Sequence, residues 1–136
     1  MKPVLRSVGA VIAGYLATAI PLMVMFLIVA FALFGGMPDP NAPPPPVPVG
    51  VNVALLAFSG LFAVFGGYVA GWVAGRAPFA HAAALGLLML AFGALMMLDP
   101  ESAEPMGSRI ATAAMPLPCS LLGGWLRARR GQSVQS

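Results

Sequence analysis

The sequence predicts an all-α membrane protein with four transmembrane helices and both termini in the cytoplasm. Of its 136 residues, 60% are hydrophobic and only 8% are charged, whereas soluble domains carry about 25% charged residues. Four apolar segments are each long enough to cross a hydrocarbon core of about 30 Å as a helix. The charged residues lie on alternate sides of these segments, and this alternation predicts the orientation.

The first predicted helix covers residues 5–34, and its apolar run is interrupted only by Arg6 and Ser7 at the start. A cleaved signal peptide is the alternative, because Lys2 and Arg6 form a basic start and residues 30–32 resemble a cleavage site. Secretory apolar regions run about 7–15 residues. The greater length of this segment therefore favours a retained helix.

Three further apolar segments predict the remaining helices, at residues 51–74, 79–98 and 108–126. A backbone in lipid must satisfy its own hydrogen bonds, so spanning segments form helices or closed barrels. The sequence lacks the alternation of apolar and polar residues that a barrel strand needs, so helices are predicted. Pro21, Pro116 and Pro118 fall inside predicted helices and predict kinks.

The positions of the charges predict which side each loop faces. All four acidic residues and Arg109 lie on one side of the predicted spans. The other side holds the remaining six basic residues, Lys2, Arg6, Arg76, Arg127, Arg129 and Arg130. Short loops rich in Lys and Arg stay cytoplasmic. We therefore expect residues 127–136 to form a basic cytoplasmic tail, and residues 35–50 and 99–107 to face outside.

The outer loop at residues 35–50 contains seven of the fourteen prolines, four of them consecutive at positions 43–46. Such a run adopts the extended polyproline II conformation. We expect a stiff spacer between two helix ends, since proline-rich linkers act as semi-rigid spacers. A docking strip for an aromatic groove on a partner is the alternative.

Small residues recur every four positions along the second predicted helix, at Ser59, Ala63, Gly67, Gly71 and Gly75. This spacing forms one stripe, and stripes of small residues let a second helix approach closely in a membrane. The sequence therefore predicts a helix-packing site. The favoured neighbour is a helix of the same chain, with Gly14 and Thr18 of the first helix as the candidate contact. A second copy in a homo-oligomer, or a foreign subunit in a larger membrane complex, is the alternative.

Aromatic and basic residues near the predicted cytoplasmic surface are interpreted as interface anchors. They are Tyr68, Trp72, Trp125, Arg76, Arg127, Arg129 and Arg130. Aromatic side chains with one polar end favour this position, and we expect His81 to reach headgroups or water there rather than to relay protons. The arginine cluster lacks the stacking aromatics of a nucleic-acid site, so the lipid bilayer is the expected partner.

No catalytic, cofactor-binding or metal site is predicted. One cysteine and one histidine cannot supply the three or four protein ligands of a zinc site. A nucleophile needs a base within hydrogen-bond reach, and Cys119 is far along the chain from His81. No charged residue lies in the middle of a span, whereas proton-coupled transport usually requires one. The small multidrug transporters, which depend on a carboxylate in their first helix, therefore do not fit.

Three segments of the chain resemble a class of small, uncharacterised bacterial four-helix integral membrane proteins. The segments are residues 8–15 (Val-Gly-Ala-Val-Ile-Ala-Gly-Tyr), 66–81 and 122–129. The resemblance implies the four-helix layout and a bacterial inner membrane, and it implies no activity. We expect a structural or accessory subunit that acts through helix packing. A small channel or carrier for a solute or ion is the alternative, and an enzyme acting on lipid ranks third.

Overall fold

The structure is a computed structural model that describes residues 2–37, 39–43, 45–100 and 105–133. Its regular elements in these ranges are all helices, namely α1 (Lys2–Phe34), α2 (Val49–Ala74), α3 (Pro78–Met97), α4 (Met106–Ala114) and α5 (Pro116–Ser133). The helices α1, α2 and α3 are each long and apolar enough to cross a membrane. Glu101 and Glu104 of the predicted outer loop, Pro38 and Pro44, and residues 134–136 of the tail lie outside the described residues.

The structure divides the predicted fourth helix, residues 108–126, into α4 and α5, with an interruption at Met115. Pro116 and Pro118 have no N–H to donate to the preceding turn, so two regular helical hydrogen bonds cannot form. The N–H of Met115 still donates to the carbonyl oxygen of Ala111 at 2.9 Å, which keeps α4 and α5 closely linked. By contrast, α1 continues through Pro21 without a break.

The helix α2 lies at the centre of the bundle, where it packs against α1, α3 and α5. The helix α3 packs on α5 and α4 as well, and it contacts α1 less extensively. Arg6, near the start of α1, donates from Nε to the carbonyl oxygen of Val73, near the end of α2, at 3.0 Å. Arg127, in the second half of α5, lies against Gly71 of α2. The start of α1 and the ends of α2 and α5 therefore meet at one end of the bundle, here called the basic end.

Small residues fill the interior of the bundle, and large apolar residues cover its outside. Among the described residues, Leu85 and Pro116 are the buried apolar side chains larger than alanine. The other buried apolar side chains are Ala10, Ala30, Ala63, Ala70, Ala74, Ala82 and Ala113. Phe26 and Phe65 are each 54% exposed. Soluble monomers bury such side chains and rarely expose large contiguous apolar patches. The interior thus relies on close backbone approach, which is the mode of packing expected between helices in lipid.

Candidate functional site

The predicted stripe on α2 contacts α5 and the start of α3. A methyl group on Gly67 would overlap the carbonyl oxygen of Ser120, and one on Gly71 would lie 2.8 Å from Cβ of Pro78. Both glycines are buried. Only hydrogen atoms fit between these helices, so the neighbour of this stripe is another part of the same chain. The neighbours are α5 and the start of α3, not the α1 that the sequence favoured.

The other three residues of the stripe lie in different surroundings. Ala63 is fully buried, Ser59 is half-buried and Gly75 is exposed. Gly75 follows the end of α2, where its φ of 72° is in the left-handed region and its N–H donates to the carbonyl oxygen of Gly71. Glycine is favoured in this conformation because it has no Cβ. The closely packed part of the stripe therefore runs from Ala63 to Gly71, and Gly75 serves to end the helix.

A second stripe of small residues on α2, which the sequence interpretation missed, packs against α1. A methyl group on Gly66 would overlap the hydroxyl of Thr18, and one on Gly14 would lie 2.7 Å from Cβ of Ala70. Gly66, Ala70 and Ala74 repeat every four residues, so the same signal was present in the sequence. It lies next to the glycine stripe and has the same four-residue period, so the period alone does not separate the two packing faces.

The buried hydroxyl of Thr18 links α1 to α2. Its Oγ1 lies 3.0 Å from the carbonyl oxygen of Gly14, in its own helix, and 3.3 Å from that of Phe62 in α2. One proton is thus shared between an intrahelical and an interhelical acceptor. The side chain is 1% exposed, so water does not replace these partners.

Ser120 lies between two glycines of neighbouring helices. Its carbonyl oxygen faces Gly67 of α2, and a methyl group on Gly86 of α3 would overlap its hydroxyl. The hydroxyl donates to the carbonyl oxygen of Leu117, within α5, at 3.0 Å. One turn further on, Gly123 contacts the backbone of Val64. The helix α5 therefore reaches both α2 and α3 through small residues.

Arg109 is the basic residue that lies apart from the other six, and its contacts account for its position. Its Nη2 lies 3.0, 2.6 and 3.0 Å from the carbonyl oxygens of Met96, Met97 and Asp99. These carbonyls are at and just beyond the end of α3. A cation there complements the negative end of the helix dipole. Arg109 therefore has a structural role at the end of the bundle opposite the basic end.

The predicted anchors gather at the basic end, where two arginines stack on aromatic rings. Cζ of Arg129 lies 4.7 Å from the ring centre of Trp125, and Cζ of Arg130 lies 5.9 Å from that of Tyr68. Such contacts contribute about 0.5–1 kcal/mol each at exposed sites. Among the other anchors, Trp72 and Arg76 are exposed and Arg127 is half-buried.

Two cavities open near the basic end. The smaller, of about 240 Å³, is lined by Lys2, Arg6 and Arg76 together with Ser7. The larger, of about 410 Å³, is almost wholly apolar and lies between α1 and α3. Ser7 lines both cavities, so they adjoin each other.

The structure does not bring together the two side chains with catalytic potential. Sγ of Cys119 faces Gly60, at the contact of α5 with α2. His81 lines the larger cavity, between α1 and α3, and its Nδ1 lies 3.0 Å from the carbonyl oxygen of Ala77. Within the described part of the chain, no cluster of three or more His, Cys, Asp or Glu residues could hold a metal ion.

The geometry thus defines two features: the small-residue interfaces around α2, and a basic end with adjoining polar and apolar cavities. The interfaces hold the bundle together, and the basic end concentrates positive charge. No protein-family model, curated protein or solved structure matches this chain.

Proposed function

We propose that this chain is a multi-pass protein of a bacterial inner membrane that crosses the bilayer four times. The length and apolar character of α1, α2 and α3 support three of these spans. We assign the fourth to α4 and α5 together. Residues 106–126 rise about 31 Å at 1.5 Å per residue, which matches a hydrocarbon core of about 30 Å. The interruption at Met115 is tolerable there because the segment packs against α2, where the Met115 side chain meets Gly60.

We place both termini in the cytoplasm because positive charge concentrates at the basic end. Lys and Arg in short loops favour the cytoplasmic side. Arg109, the exception, is held by the carbonyls at the end of α3, so its charge is compensated locally. The bacterial inner membrane is what the resemblance to small bacterial four-helix proteins implies.

Within this membrane we propose a structural or accessory role without enzymatic activity. The observation that carries this proposal is the tight packing around α2. Neither the contact of Gly66 with Thr18 nor that of Gly67 with Ser120 leaves room for a methyl group. A solute path along these interfaces would require the helices to separate. The packing therefore favours an accessory subunit over the channel or carrier, which stays the alternative.

A partner of such a subunit would have to bind the outside of the bundle, because both small-residue stripes of α2 are used within the chain. The outward face of α2 carries four large side chains that are roughly half exposed or more: Phe58, Leu61, Phe65 and Trp72. Their spacing of three, four and seven residues places them on one side of the helix. We propose this face as the contact with a second copy or with a larger complex.

The test is photo-crosslinking in native membranes, followed by mass spectrometry of the products. A photoreactive amino acid replaces Phe65 on the proposed face, and a matched variant carries it at Ile28, an exposed position on α1. We expect a discrete protein adduct from position 65 only. An adduct of twice the chain mass indicates a homo-oligomer, and another mass indicates a larger complex.

Two outcomes would count against the accessory role. Adducts with lipid alone at both positions, together with a monomer in mild detergent, would contradict it. Solute flux into liposomes that rises with the purified protein and is lost in Pro116→Ala would favour the channel or carrier instead.

A further inference from the structure

We propose that the basic end binds one anionic phospholipid, with the phosphate between Lys2, Arg6 and Arg76 and an acyl chain in the groove between α1 and α3. This proposal rests on the membrane location proposed above. It concerns a defined binding site rather than the general attraction of a basic surface to lipid.

The smaller cavity has the charge that a phosphate requires. Three of its lining residues, Lys2, Arg6 and Arg76, are basic. Ser7 also lines it, and its hydroxyl donates to the carbonyl oxygen of Pro3 at 3.0 Å. None of its lining residues, all of which belong to the described ranges, is acidic. Basic pockets between helices on the cytoplasmic side of a membrane bind anionic headgroups by this chemistry.

Arg6 is held in place before any ligand binds. Its Nε donates to the carbonyl oxygen of Val73 at 3.0 Å, and its guanidinium lies against Gly75. A cation in this position also complements the negative end of the α2 dipole. Because the side chain is already ordered, binding a phosphate there loses little further conformational entropy.

Arg76 is fixed next to Arg6 by a tight turn between α2 and α3. The flanking residues, Gly75 and Ala77, both have left-handed backbones, with φ of 72° and 48°. This conformation costs a residue with a side chain about 1–2 kcal/mol, so at Ala77 the packing of the two helices must impose it. The turn thereby fixes the backbone at Arg76, whose side chain lines the cavity.

The larger cavity supplies a place for one acyl chain. Val8, Val11 and Ile12 of α1 form one wall. Ala80, His81 and Ala84 of α3 form the other, and Nδ1 of His81 lies 3.0 Å from the carbonyl oxygen of Ala77. Its volume of about 410 Å³ lies within the usual range for small-molecule sites.

The position of the groove favours a lipid over free phosphate. Ser7 lines both cavities, so a headgroup in the basic pocket puts the attached chain at the mouth of the apolar groove. Lipid chains already surround the bundle, so the groove contributes close packing rather than hydrophobic burial. Free phosphate would use the basic pocket and leave the groove empty.

The test measures lipid binding to the purified full-length protein by native mass spectrometry from a neutral detergent. The probes are dioleoyl phosphatidylglycerol, dioleoyl phosphatidylcholine and inorganic phosphate. We expect tighter binding of phosphatidylglycerol than of phosphatidylcholine. In the double variant Lys2→Gln/Arg76→Gln, we expect the affinity for phosphatidylglycerol to fall about 25-fold, or about fivefold per basic residue.

A matched control separates the site from general electrostatic attraction. The double variant Arg129→Gln/Arg130→Gln loses the same charge at the same end of the bundle, outside both cavities. We expect its affinity to change by less than about twofold, since screening limits the reach of exposed charges. Equal losses in the two double variants, or equal binding of the two lipids, would overturn the proposal.

A second pair of variants tests the groove. Ala84→Phe fills the larger cavity, and Ala94→Phe adds the same ring at an exposed position of α3 away from it. We expect only the former to weaken phosphatidylglycerol binding. If Ala84→Phe has no effect and inorganic phosphate displaces the lipid, free phosphate is the ligand and the proposal fails. The charge variants decide the outcome even if Ala84→Phe does not fold. If selective lipid binding is absent but the protein is still extracted from membranes, the lipid site is contradicted and the four-span proposal remains intact.

Discussion

The two packed faces of α2 differ in what limits the approach of the neighbouring helix. Towards α5, Gly67 meets the backbone carbonyl of Ser120. Towards α1, Gly66 meets the side chain of Thr18, whose hydroxyl also links the two helices, and a methyl group on Gly66 would lie 2.6 Å from the carbonyl oxygen of Gly14. A side chain can be shortened by substitution, whereas a backbone carbonyl cannot. The overlap at Gly67 is therefore with backbone atoms alone, whereas the closest overlap at Gly66 is with a side chain that also forms an interhelical hydrogen bond.

The largest expected effect is that of Gly67→Ala. Its methyl group would overlap the Ser120 carbonyl, so α2 and α5 must separate over several turns. We expect the free energy of unfolding to fall by about 1–3 kcal/mol, as for other overpacked sites, measured by denaturant titration in detergent micelles. The control is Gly9→Ala, which meets nothing within 4 Å. Equal stability of the two variants would mean that α5 does not pack as described.

A second substitution, which shortens the side chain facing the new methyl group, distinguishes a clash with a side chain from a clash with the backbone. Gly66→Ala should also destabilise the bundle, and the double variant Gly66→Ala/Thr18→Ala should recover about 1 kcal/mol because the overlapping hydroxyl is gone. The recovery is partial, because the carbonyl oxygen of Gly14, 2.6 Å from the position of the new methyl group, stays in place. The double variant Gly67→Ala/Ser120→Ala should recover nothing, since the clash there is with backbone. The same denaturant titration gives both differences. Rescue on the α5 face and none on the α1 face would contradict the assignment of the two contacts.

The smallest expected effect distinguishes the two buried hydroxyls. Thr18→Val keeps the shape of the side chain but removes the bond to Phe62, so we expect a loss of about 0.6 kcal/mol, the average for hydrogen bonds between membrane helices. Ser120→Ala removes a bond to Leu117 within one helix and should have a smaller effect. Hydrogen exchange should show faster opening of α1 against α2 in Thr18→Val alone. Faster opening in Ser120→Ala alone would contradict the interhelical role of Thr18.

The helices and one packing face could be predicted because they depend on local properties of the sequence. A run of apolar residues predicts a helix in lipid, and a four-residue period places Ala63, Gly67 and Gly71 on one face. The partner of that face could not be predicted, because α1 and α5 both carry small residues that fit it, such as Gly14 and Gly123. Which helix packs on this face depends on how all the helices pack together, and the repeat of small residues along one helix does not determine that.

The basic end was harder to predict than the helices. The distribution of charges in the sequence predicts that Lys2, Arg6 and Arg76 lie on one side of the membrane. Their convergence on one cavity, however, depends on the turn at residues 75–77. Gly75 gave a signal for that turn, since glycine commonly ends a helix in the left-handed conformation. Ala77 gave none, because an alanine with positive φ is held there by its surroundings rather than by its own preference.

The most direct measurement of the proposed arrangement in the membrane is cysteine labelling with a membrane-impermeant maleimide. In a Cys119→Ser background, Ala42→Cys tests the proline-rich loop and Gly131→Cys tests the end of α5; both positions are exposed. Four spans with cytoplasmic ends predict that position 42 is labelled in intact cells, and position 131 only after lysis. Labelling of position 131 in intact cells, or recovery of the chain in the aqueous fraction without detergent, would contradict the account.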